Sequence, residues 1–386
     1  MNSLKNKDSI KVLCIANAYY DTYEPLSGIF FSEQAKALHS DEINVNVVAV
    51  NFVSLKSIIK QRKWQFGLKK NKYDGVHSLV YQVPSMPFSK AWNRWLKNKL
   101  LIKLIKKSLK HHGKPDIAHV HVFYSGKSAM WLKKKHKVPY VVTEHFSVFA
   151  RKLTTKAEDR FAKAVFQNAD ACIAVSNEFC RLLSKKFGIE FIYVPNVVDT
   201  GRFKANTEKN ISEKKKIIAV GSLDANKNHE MLIRVFAKLP QPDLHLTIVG
   251  DGPLKGQLNE LVNELEITNR VLFYGHAREI EVAELLCNSD LLVLSSKYET
   301  FGVVIIEAFS AGIPVVSTAC GGPESIIVDK RLGEICSIDE ESMSNSIQKV
   351  LMQKYNSDFI RNFAAKHFSA QALKHNLLEV YNNIIK

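Results

Sequence analysis

The sequence predicts an α/β fold made of two doubly wound parallel sheets. Short apolar segments bounded by polar or glycine-containing turns alternate with longer amphipathic segments along the chain. This alternation is the pattern of strands and helices in βαβ units. The pattern occurs twice in tandem, and 386 residues are enough for two domains that each bury a core.

The first half contains predicted strands with helices between them. The predicted strands are Ile10–Ala16, Val45–Val50, Ile117–Val122, Tyr140–Thr143 and Ala171–Val175. The predicted helices are Ile29–Leu38, Ala91–His111 and Glu158–Asn168. Strand and helix thus alternate as a parallel sheet requires.

The second half repeats the arrangement. Its predicted strands are Lys216–Val220, Leu244–Val249, Val271–Tyr274, Leu291–Leu294 and Val315–Ser317. Its predicted helices include Leu254–Leu265 and Val303–Ala311. Doubly wound sheets bind ligands at the carboxyl ends of their strands, so two such units predict a cleft where these ends face each other.

The domain boundary is predicted near the segment Val194-Pro-Asn-Val-Val-Asp-Thr-Gly-Arg-Phe203, which follows a predicted strand Phe191–Val194 and precedes a polar stretch, Lys204–Lys216. We expect domains at residues 1–198 and 199–369. An amphipathic helix occupies residues 370–386, and its simplest interpretation is a terminal helix on the second domain.

Composition favours a soluble globular protein, with 46% hydrophobic and 24% charged residues. No apolar run approaches the roughly 20 residues that span a bilayer, and Met1–Lys11 is too polar for a secretory signal. We therefore expect a cytoplasmic protein. The six cysteines form no Cys-x-x-Cys motif, which predicts reduced thiols and no metal site.

Positive charge is concentrated in the first half of the chain. Residues 1–200 contain 33 Lys and Arg against 15 Asp and Glu, whereas the remainder contains 21 against 23. Within residues 56–137 the ratio is 21 to 2. Such a field attracts a polyanion or an anionic membrane surface.

Two glutamates, Glu299 and Glu307, lie eight positions apart in a predicted strand, loop and helix. Glu299 is on the loop Tyr298–Gly302, and Glu307 is one turn into the helix that begins at Val303. A helix that starts after such a loop presents free backbone N–H groups and a positive dipole end, which suit a diphosphate. Carboxylates beside it can accept hydrogen bonds from sugar hydroxyls. The pattern predicts a sugar-nucleotide site.

The run Ser295–Thr318 resembles the Glu-x7-Glu motif of retaining glycosyltransferases of the GT-B fold, in particular family 4. The resemblance extends over essentially the whole chain and implies two facing Rossmann-like domains, the first for the acceptor and the second for the nucleotide sugar. It implies that Glu299 contacts the transferred hexose and that Glu307 holds the ribose. It assigns the backbone of Phe301, Gly302 and Val303 to the sugar and phosphates, and it implies that the terminal helix packs on the first domain.

Lys227 follows the first strand of the second half, in the run Val220–Ile233. The family pattern Gly-Arg-Leu-x-x-x-Lys resembles this run and implies that Lys227 binds the diphosphate and stabilises its departure, a role for a fixed cation. Ser222 replaces the arginine of that pattern. A serine donates one neutral hydrogen bond, so we expect Lys227 to supply the charge.

Two residues of the first half complete the predicted site. Gly28 precedes the helix Ile29–Leu38, and its resemblance to the family's Gly-Ile-Phe loop implies contact with the donor diphosphate. His145 follows the strand Tyr140–Thr143, and the resemblance implies contact with the donor sugar during bond breaking. By contrast, we expect His119 and His121 to be structural.

A basic helix within Ala91–His111 combines tryptophans with regularly spaced lysines, which is typical of an interfacial membrane helix. The alternative is a helix that packs on the sheet while its lysines are solvated. We expect a membrane-facing set on this helix, and no nucleic-acid motif accompanies it. The set is Trp92, Trp95, Lys99, Lys103 and Lys106.

Together these features predict a hexosyltransferase. The expected catalytic residues are His145, Glu299 and Lys227, without a cofactor and without a metal. The expected partners are a nucleoside-diphosphate sugar, a lipid-linked glycan acceptor and the anionic inner face of the cytoplasmic membrane, in cell-surface polysaccharide or lipopolysaccharide synthesis. The alternatives are a soluble glucan or sucrose-type synthase and a non-catalytic protein that binds sugar nucleotides or polyanions.

Overall fold

Strands and helices alternate through both halves of the chain, which confirms the predicted α/β class. The computed structural model describes residues 9–19, 28–54, 59, 66–85, 90–203 and 215–385. Parts of two predicted segments, residues 20–27 of the loop before Gly28 and residues 204–214 of the polar stretch, lie outside the described residues.

The chain divides into two compact units. The first comprises Met1–Val175, Cys180–Val197 and Leu373–Lys386, and the second comprises Ser176–Phe179 and Val198–Ala372. Ser176–Phe179 thus groups with the second unit, although the sequence analysis assigned it to the first. The helix Asn177–Phe187 therefore has its first three residues in the second unit and the rest in the first.

The described part of the first unit contains an eight-stranded sheet and its helices. In chain order the elements are β1 (Ile10–Ala16), α1 (Ile29–Leu38), β2 (Ile43–Val53), β3 (Gly67–Tyr73), β4 (Val76–Pro84), α2 (Lys90–His112), β5 (Ile117–His121), α3 (Gly126–His136), β6 (Tyr140–Glu144), α4 (Lys156–Asn168), β7 (Ala171–Ala174), α5 (Asn177–Phe187) and β8 (Ile192–Tyr193). The sheet order is β3-β4-β2-β1-β5-β6-β7-β8. Strand order therefore reverses between β1 and β5, which is where such sheets bind ligands.

The hairpin of β3 and β4 is absent from the sequence prediction. The two strands pair antiparallel from Gly67 with Gln82 to Tyr73 with Val76. Asp74 and Gly75 form the turn with φ angles of 47° and 81°, as a two-residue hairpin loop of this chemistry requires. The first sheet is consequently mixed, with β3 as its antiparallel edge.

The described part of the second unit contains a parallel six-stranded sheet. Its elements are β9 (Lys216–Val220), α6 (His229–Lys238), β10 (His245–Val249), α7 (Lys255–Glu264), β11 (Val271–Gly275), α8 (Glu279–Cys287), β12 (Leu291–Leu294), α9 (Val303–Ala311), β13 (Val315–Thr318), β14 (Gly333–Cys336), α10 (Glu340–Met352) and α11 (Ser357–Phe368). The order is β11-β10-β9-β12-β13-β14. Strand order reverses between β9 and β12.

The last helix, α12 (Ala370–Ile384), enters the first unit at Leu373. Leu373, Leu377, Val380 and Tyr381 are its buried residues, and Lys374 pairs with Glu42 at the amino end of β2 at 2.5 Å. Contacts four residues apart along one helical face thus hold the chain terminus to the first unit.

Candidate functional site

The strand reversal of the second sheet brings Lys227 and Glu299 together. Lys227 lies on the loop after β9 and Glu299 on the loop after β12. Lys227 Nζ is 2.5 Å from Glu299 Oε1, and the side chains are only 22% and 15% exposed. Ser296 Oγ donates to the same carboxylate oxygen at 2.7 Å. The pair is therefore a charge-assisted contact shielded from most of the solvent.

Hydrogen bonds between the two loops fix the position of this pair. Lys297 N donates to Asn226 O at 2.7 Å, and Asn226 Nδ2 donates to Tyr298 O at 2.9 Å. Ser295 Oγ donates to Lys227 O at 2.8 Å. Each loop thus restrains the backbone beside the other loop's charged residue.

Asp224 organises the loop that contains Lys227. Its Oδ1 accepts from Asn226 N at 2.9 Å and Lys227 N at 3.1 Å, and its Oδ2 accepts from Ser222 Oγ at 2.6 Å. Partial burial opposes ionisation, but these hydrogen bonds outweigh it and lower the pKa of Asp224. The Ser222 hydroxyl is therefore engaged within the loop, and its predicted contact with a donor phosphate stays a prediction.

Two glycines outside the predicted site allow these loops to pack closely. A Cβ on Gly250 would lie 1.9 Å from Gly221 O, and one on Gly322 would lie 2.4 Å from backbone atoms of Phe301. Glu299 N also donates to Cys320 O at 2.9 Å. The Gly-rich turns after β10 and β13 thus support the site. Asp224, Ser296 and Gly322 have positioning roles that the sequence analysis did not identify.

Helix α9 begins at Val303, and no side chain among the described residues caps it. Gly302 precedes it in a left-handed conformation, with φ 102°. The first N–H groups of such a helix have no partner within the helix. The first N–H groups of α9, at Val303 and Val304, therefore lie close to the loop of Glu299, as a phosphate site needs. The predicted ligand contacts of the Phe301, Gly302 and Val303 backbone stay predictions.

Glu307 lies on the second turn of α9 with only part of its side chain accessible. Burial and nearby Glu279 raise the pKa of Glu307 to about 7, against an opposing effect of Arg202. Arg202 itself pairs with Glu279 at 2.6 Å. Glu307 can thus change protonation state near neutral pH, which the sequence alone did not indicate.

In the first unit, Gly28 is required for steric reasons. Its φ is 81°, and a Cβ there would lie 2.6 Å from the backbone of Tyr19. Gly28 O accepts from Ser32 N at 3.1 Å as α1 begins. These contacts explain the glycine without a ligand, so its contact with the donor stays a prediction.

His145 follows β6 and is 9% exposed. Its Nε2 is 3.2 Å from Nδ1 of His121, and the two rings are stacked with centroids 5.4 Å apart. Burial, together with His121, lowers the pKa of His145 well below its ordinary value. His145 is therefore neutral at physiological pH and suited to hydrogen bonding.

Glu144, the residue before His145, is fully buried. Its carboxylate accepts from the backbone N–H of Phe123 at 3.1 Å, His145 at 3.1 Å and Phe146 at 2.9 Å. Burial raises the pKa of Glu144 to about 7, although these three donors favour the charged form. Glu144 thus holds the backbone that presents His145.

The five predicted membrane-facing side chains share the exposed side of α2. Trp92 and Trp95 are 48% and 46% exposed, with ring centroids 4.9 Å apart. Lys99 Nζ lies 4.8 Å from the Trp95 ring centre. Lys103 and Lys106 are exposed one and two turns further along the helix. No described helix is both long enough and apolar enough to span a bilayer.

Two tandem Rossmann-like units, each with a strand reversal in its sheet, define the GT-B class of fold. Comparison with sequence families agrees with that class. Residues 28–202 match glycosyltransferase family 4, and residues 202–367 match glycosyl transferases group 1. The chain belongs to the GT-B glycosyltransferases of these families.

One similar curated protein is N-acetyl-alpha-D-glucosaminyl L-malate synthase of Bacillus anthracis, which is 30% identical over 240 residues. The match includes 58% of this chain and 62% of the relative, so the chain spans less than two thirds of that protein's length.

Three solved structures illustrate the shared fold. Sucrose-phosphate synthase of Thermosynechococcus elongatus has a TM-score of 0.78 at 18% identity, covering 97% of this chain and 99% of the other. HepE of Anabaena in complex with UDP has a TM-score of 0.75 at 18% identity, covering 97% and 100%. The lipopolysaccharide outer core galactosyltransferase WaaB has a TM-score of 0.69 at 21% identity, covering 97% and 100%. At these identities the likeness shows the fold alone.

Proposed function

We propose that the protein transfers a hexosyl residue from a nucleoside-diphosphate sugar to an acceptor hydroxyl with retention at the anomeric carbon. The observation that carries the proposal is the Lys227 and Glu299 pair beside the uncapped start of α9. The site offers one cation and several N–H groups for a diphosphate. It also offers carboxylates for hydroxyls, which together match the chemistry of a sugar nucleotide.

Each charged group has a separate task in this mechanism. Lys227 and the first N–H groups of α9 stabilise the negative charge that develops on the departing diphosphate. Glu299 accepts hydrogen bonds from the hexosyl hydroxyls, and Glu307 accepts from the ribose. No side chain is assigned as a covalent nucleophile, and no metal is assigned to the diphosphate.

Retention follows if the acceptor attacks from the face that the diphosphate leaves. The bond from the anomeric carbon to the diphosphate oxygen breaks as the bond to the acceptor oxygen forms. The acceptor proton passes to the departing diphosphate, whose oxygen lies on the same face. His145 stabilises the sugar during this step by hydrogen bonding as a neutral imidazole.

A donor panel tests this proposal. Nucleoside-diphosphate sugars that differ in base and hexose are compared for their effect on melting temperature, since selective binding to the native state raises it. The expected result is a shift with one donor, followed by its turnover in the presence of EDTA. Binding without hydrolysis or transfer to any acceptor would favour the non-catalytic alternative, and no shift with any donor would contradict the proposal.

We further propose that the acceptor is a lipid-linked glycan and that the protein binds the anionic inner face of the cytoplasmic membrane, in cell-surface polysaccharide or lipopolysaccharide synthesis. The support is the exposed face of α2. Trp92 and Trp95, with ring centroids 4.9 Å apart, are followed on the same face by Lys99, Lys103 and Lys106. Each lysine near an anionic surface contributes about 1 kcal/mol. Amphipathic tryptophans beside them suit the headgroup region.

Sedimentation with vesicles tests the membrane contact. Vesicles of phosphatidylglycerol and phosphatidylcholine are expected to bind the protein at low salt and to release it as salt screens the charges. Replacement of Lys99, Lys103 and Lys106 by Gln should weaken binding by at least tenfold. The matched control replaces the exposed Lys134, Lys135 and Lys137 by Gln and should have a smaller effect.

Equal losses in the two triple variants would show that only net charge matters, and absence of binding at low salt would contradict the membrane proposal. If the protein does not bind vesicles, transfer to a soluble acceptor becomes the preferred function. One structural neighbour, named sucrose-phosphate synthase, is an example of the soluble sucrose-type alternative.

A further inference from the structure

Lys97 of α2 extends its side chain to the carboxyl end of β1. Its Nζ donates to the backbone oxygen and to the side-chain Oδ1 of Asn17, both at 2.8 Å, and Asn17 directly follows β1. The same Nζ lies 5.6 Å from the ring centre of Phe52, near the end of β2. Lys97 is therefore turned into the first unit, whereas Lys99 of the same helix is exposed.

The residue after Lys97 connects α2 to a second strand of the same sheet. Asn98 is buried, and its Nδ2 donates to Tyr124 O at 3.2 Å, just beyond the end of β5. Helix α2 thus contacts the segments that follow β1 and β5, the two strands between which the sheet order reverses. Such sheets bind ligands outside the carboxyl ends of the strands at this reversal. The amine of Lys97 consequently lies where a ligand of the first unit is expected.

Two reciprocal hydrogen bonds hold the backbone after β1 in place. Tyr19 N donates to Asn51 Oδ1 at 3.0 Å, and Asn51 Nδ2 donates to Tyr19 O at 2.8 Å. Asn51 belongs to β2, so the segment is fixed to the adjacent strand. Because this anchor lies two residues from Asn17, the oxygens that contact Lys97 have a defined position.

The charge of Lys97 has no partner of opposite sign among the described residues. Arg94, one turn earlier on α2, pairs with Glu158 at 3.6 Å, but Lys97 contacts the neutral oxygens of Asn17. Burial lowers the pKa of Lys97 to about 8, whereas a carboxylate in contact would raise it. A shielded cation without a counterion is costly for the folded protein, and an anion from a ligand would offset that cost.

We propose that Lys97 forms an anion subsite at the strand reversal of the first unit, which binds a phosphate or carboxylate group of the acceptor. The inference rests on the proposed function and deepens it, because the acceptor is then recognised by a negative charge in addition to its hydroxyl groups. An ammonium group has three N–H donors. Asn17 accepts from two of them, so the third can donate to the bound anion.

NMR titration of Lys97 in the protein without donor provides the first test. Lysine labelled with ¹³C at Cε reports the charge of each amine, and the signal of Lys97 is the one lost in Lys97→Arg. We expect a pKa of about 8 without an anion. At constant ionic strength, saturating glycerol 3-phosphate or glycerate should raise it by about one unit or more, because an adjacent anion favours the charged amine.

The two anions share a three-carbon skeleton, so the stronger response separates a phosphate subsite from a carboxylate subsite. Glycerol is the neutral control and should leave the pKa of Lys97 unchanged. The exposed Lys110 of α2 is the internal control, and its pKa should respond to neither anion.

Asn17→Asp provides a sharper test, because it places a carboxylate of nearly the same size in contact with Lys97. This internal counterion should raise the pKa of Lys97 without any ligand and should weaken the binding of glycerol 3-phosphate by at least tenfold. Lys227→Met separates the two cations, since it removes the predicted phosphate ligand of the second unit. The response of Lys97 should persist in that variant.

A pKa of Lys97 that responds to neither anion would overturn the proposal, as would a response that disappears in Lys227→Met or survives in Asn17→Asp. A pKa of about 10 in the free protein would also overturn it, because the chain itself would then supply the counterion. If the anion response is observed while the wild-type protein turns over no donor, the proposed function fails and the subsite remains. Turnover without any anion response removes the subsite alone.

Discussion

The two units have the same sheet order around the strand reversal but place opposite electrostatics there. In the second unit the reversal between β9 and β12 holds an ion pair, Lys227 with Glu299, 2.5 Å apart. In the first unit β5, which borders the reversal between β1 and β5, ends at His121, and its neighbour β6 leads to His145. The facing ring nitrogens of these neutral histidines are 3.2 Å apart. One topology therefore supports either charge or neutral hydrogen bonding at its ligand-binding edge.

The difference follows from what each unit encloses. Lys227 and Glu299 keep some accessible surface and lie in direct contact, which offsets part of the cost of burying two charged side chains. His119, His121 and His145 have almost no accessible surface, and burial keeps them neutral. A diphosphate requires the first kind of site, whereas a hydrogen bond to an uncharged sugar requires only the second.

The largest expected effect is on the transfer rate, when Lys227 or Glu299 of the second unit is replaced. The two replacements should differ in their effect on nucleotide binding. Glu299→Ala and Lys227→Met should each lower the transfer rate by about 10² to 10³, as loss of a preorganised charge does. Glu299→Ala should retain or increase affinity for the nucleoside diphosphate, because it releases Lys227, whereas Lys227→Met should weaken that affinity. Transfer assays and calorimetry measure the two effects.

Lys238→Met is the matched control for this prediction. Lys238 pairs with Glu340 at 2.7 Å on the surface of the same unit, and its replacement should change neither rate nor affinity. If Glu299→Ala loses nucleotide affinity as Lys227→Met does, the division of tasks between the two residues is wrong.

The second prediction concerns acid stability of the first unit. The pKa values of His119, His121 and His145 are lowered on folding, so each contributes stability above its unfolded value of 6.5 that is lost as pH falls. Glu144 has a raised pKa and acts in the opposite direction between 4.5 and about 7. The free energy of unfolding should therefore fall by about 3 kcal/mol per pH unit below pH 6.

Tryptophan fluorescence measures this effect selectively, because all four tryptophans belong to the first unit. Urea unfolding at a series of pH values gives the dependence of the unfolding free energy on pH. In His121→Phe its slope should be smaller by the contribution of about one proton. An unchanged slope would show that His121 is protonated in the folded state.

The third prediction concerns nucleotide binding through Glu307. Its raised pKa of about 7 means that the carboxyl must lose a proton before both oxygens can accept ribose hydroxyls. Affinity for a nucleoside diphosphate should rise by up to about tenfold per pH unit below pH 7 and level off above it.

Glu307→Gln provides the control for that pH dependence. The phosphate itself titrates near pH 6, and this contribution persists in the variant, whereas the part due to Glu307 disappears. Calorimetry at pH 6, 7 and 8 compares the two proteins. Parallel pH profiles would contradict a ribose contact by Glu307.

The smallest expected effect concerns the buried contact between Tyr381 and His119, whose Oη and Nδ1 atoms are 2.6 Å apart. Tyr381→Phe removes one hydrogen bond to His119 and should lower the free energy of unfolding of the first unit by about 1 kcal/mol. Tyr73→Phe, at an exposed tyrosine of β3, should have little effect. Tryptophan-detected urea unfolding measures both variants, and equal effects would leave the Tyr381 contact without energetic significance.

Much of the fold was predictable because buried parallel strands occur in the sequence as short apolar segments of distinctive length. The bounds of β1, β9 and β12 were predicted to the residue. The β3 and β4 hairpin was not, since the lysines of Gly67–Tyr73 conceal a strand that lies at the sheet edge. Its Asp74-Gly75 turn was the available signal. Lysines are common on such edges because they oppose further strand pairing.

The candidate site was predictable where function depends on a motif and unpredictable where it depends on distance. Glu299 and Lys227 are identified separately in the sequence, but only the structure places them in contact. The supporting role of Asp224 and the proximity of His121 to His145 arise from backbone geometry between loops distant in sequence. No local pattern encodes such contacts.

The ion pair of Lys227 with Glu299 has a consequence for product release. When the phosphates of a ligand draw Lys227 away, Glu299 loses a hydrogen-bond donor. The hydroxyls of a bound hexose can replace that donor. After transfer, the remaining nucleoside diphosphate has no hexose to do so, and the pair can close again. In the proposed mechanism, the same contact that prepares the empty site would thus favour release of the spent nucleotide and repeated turnover.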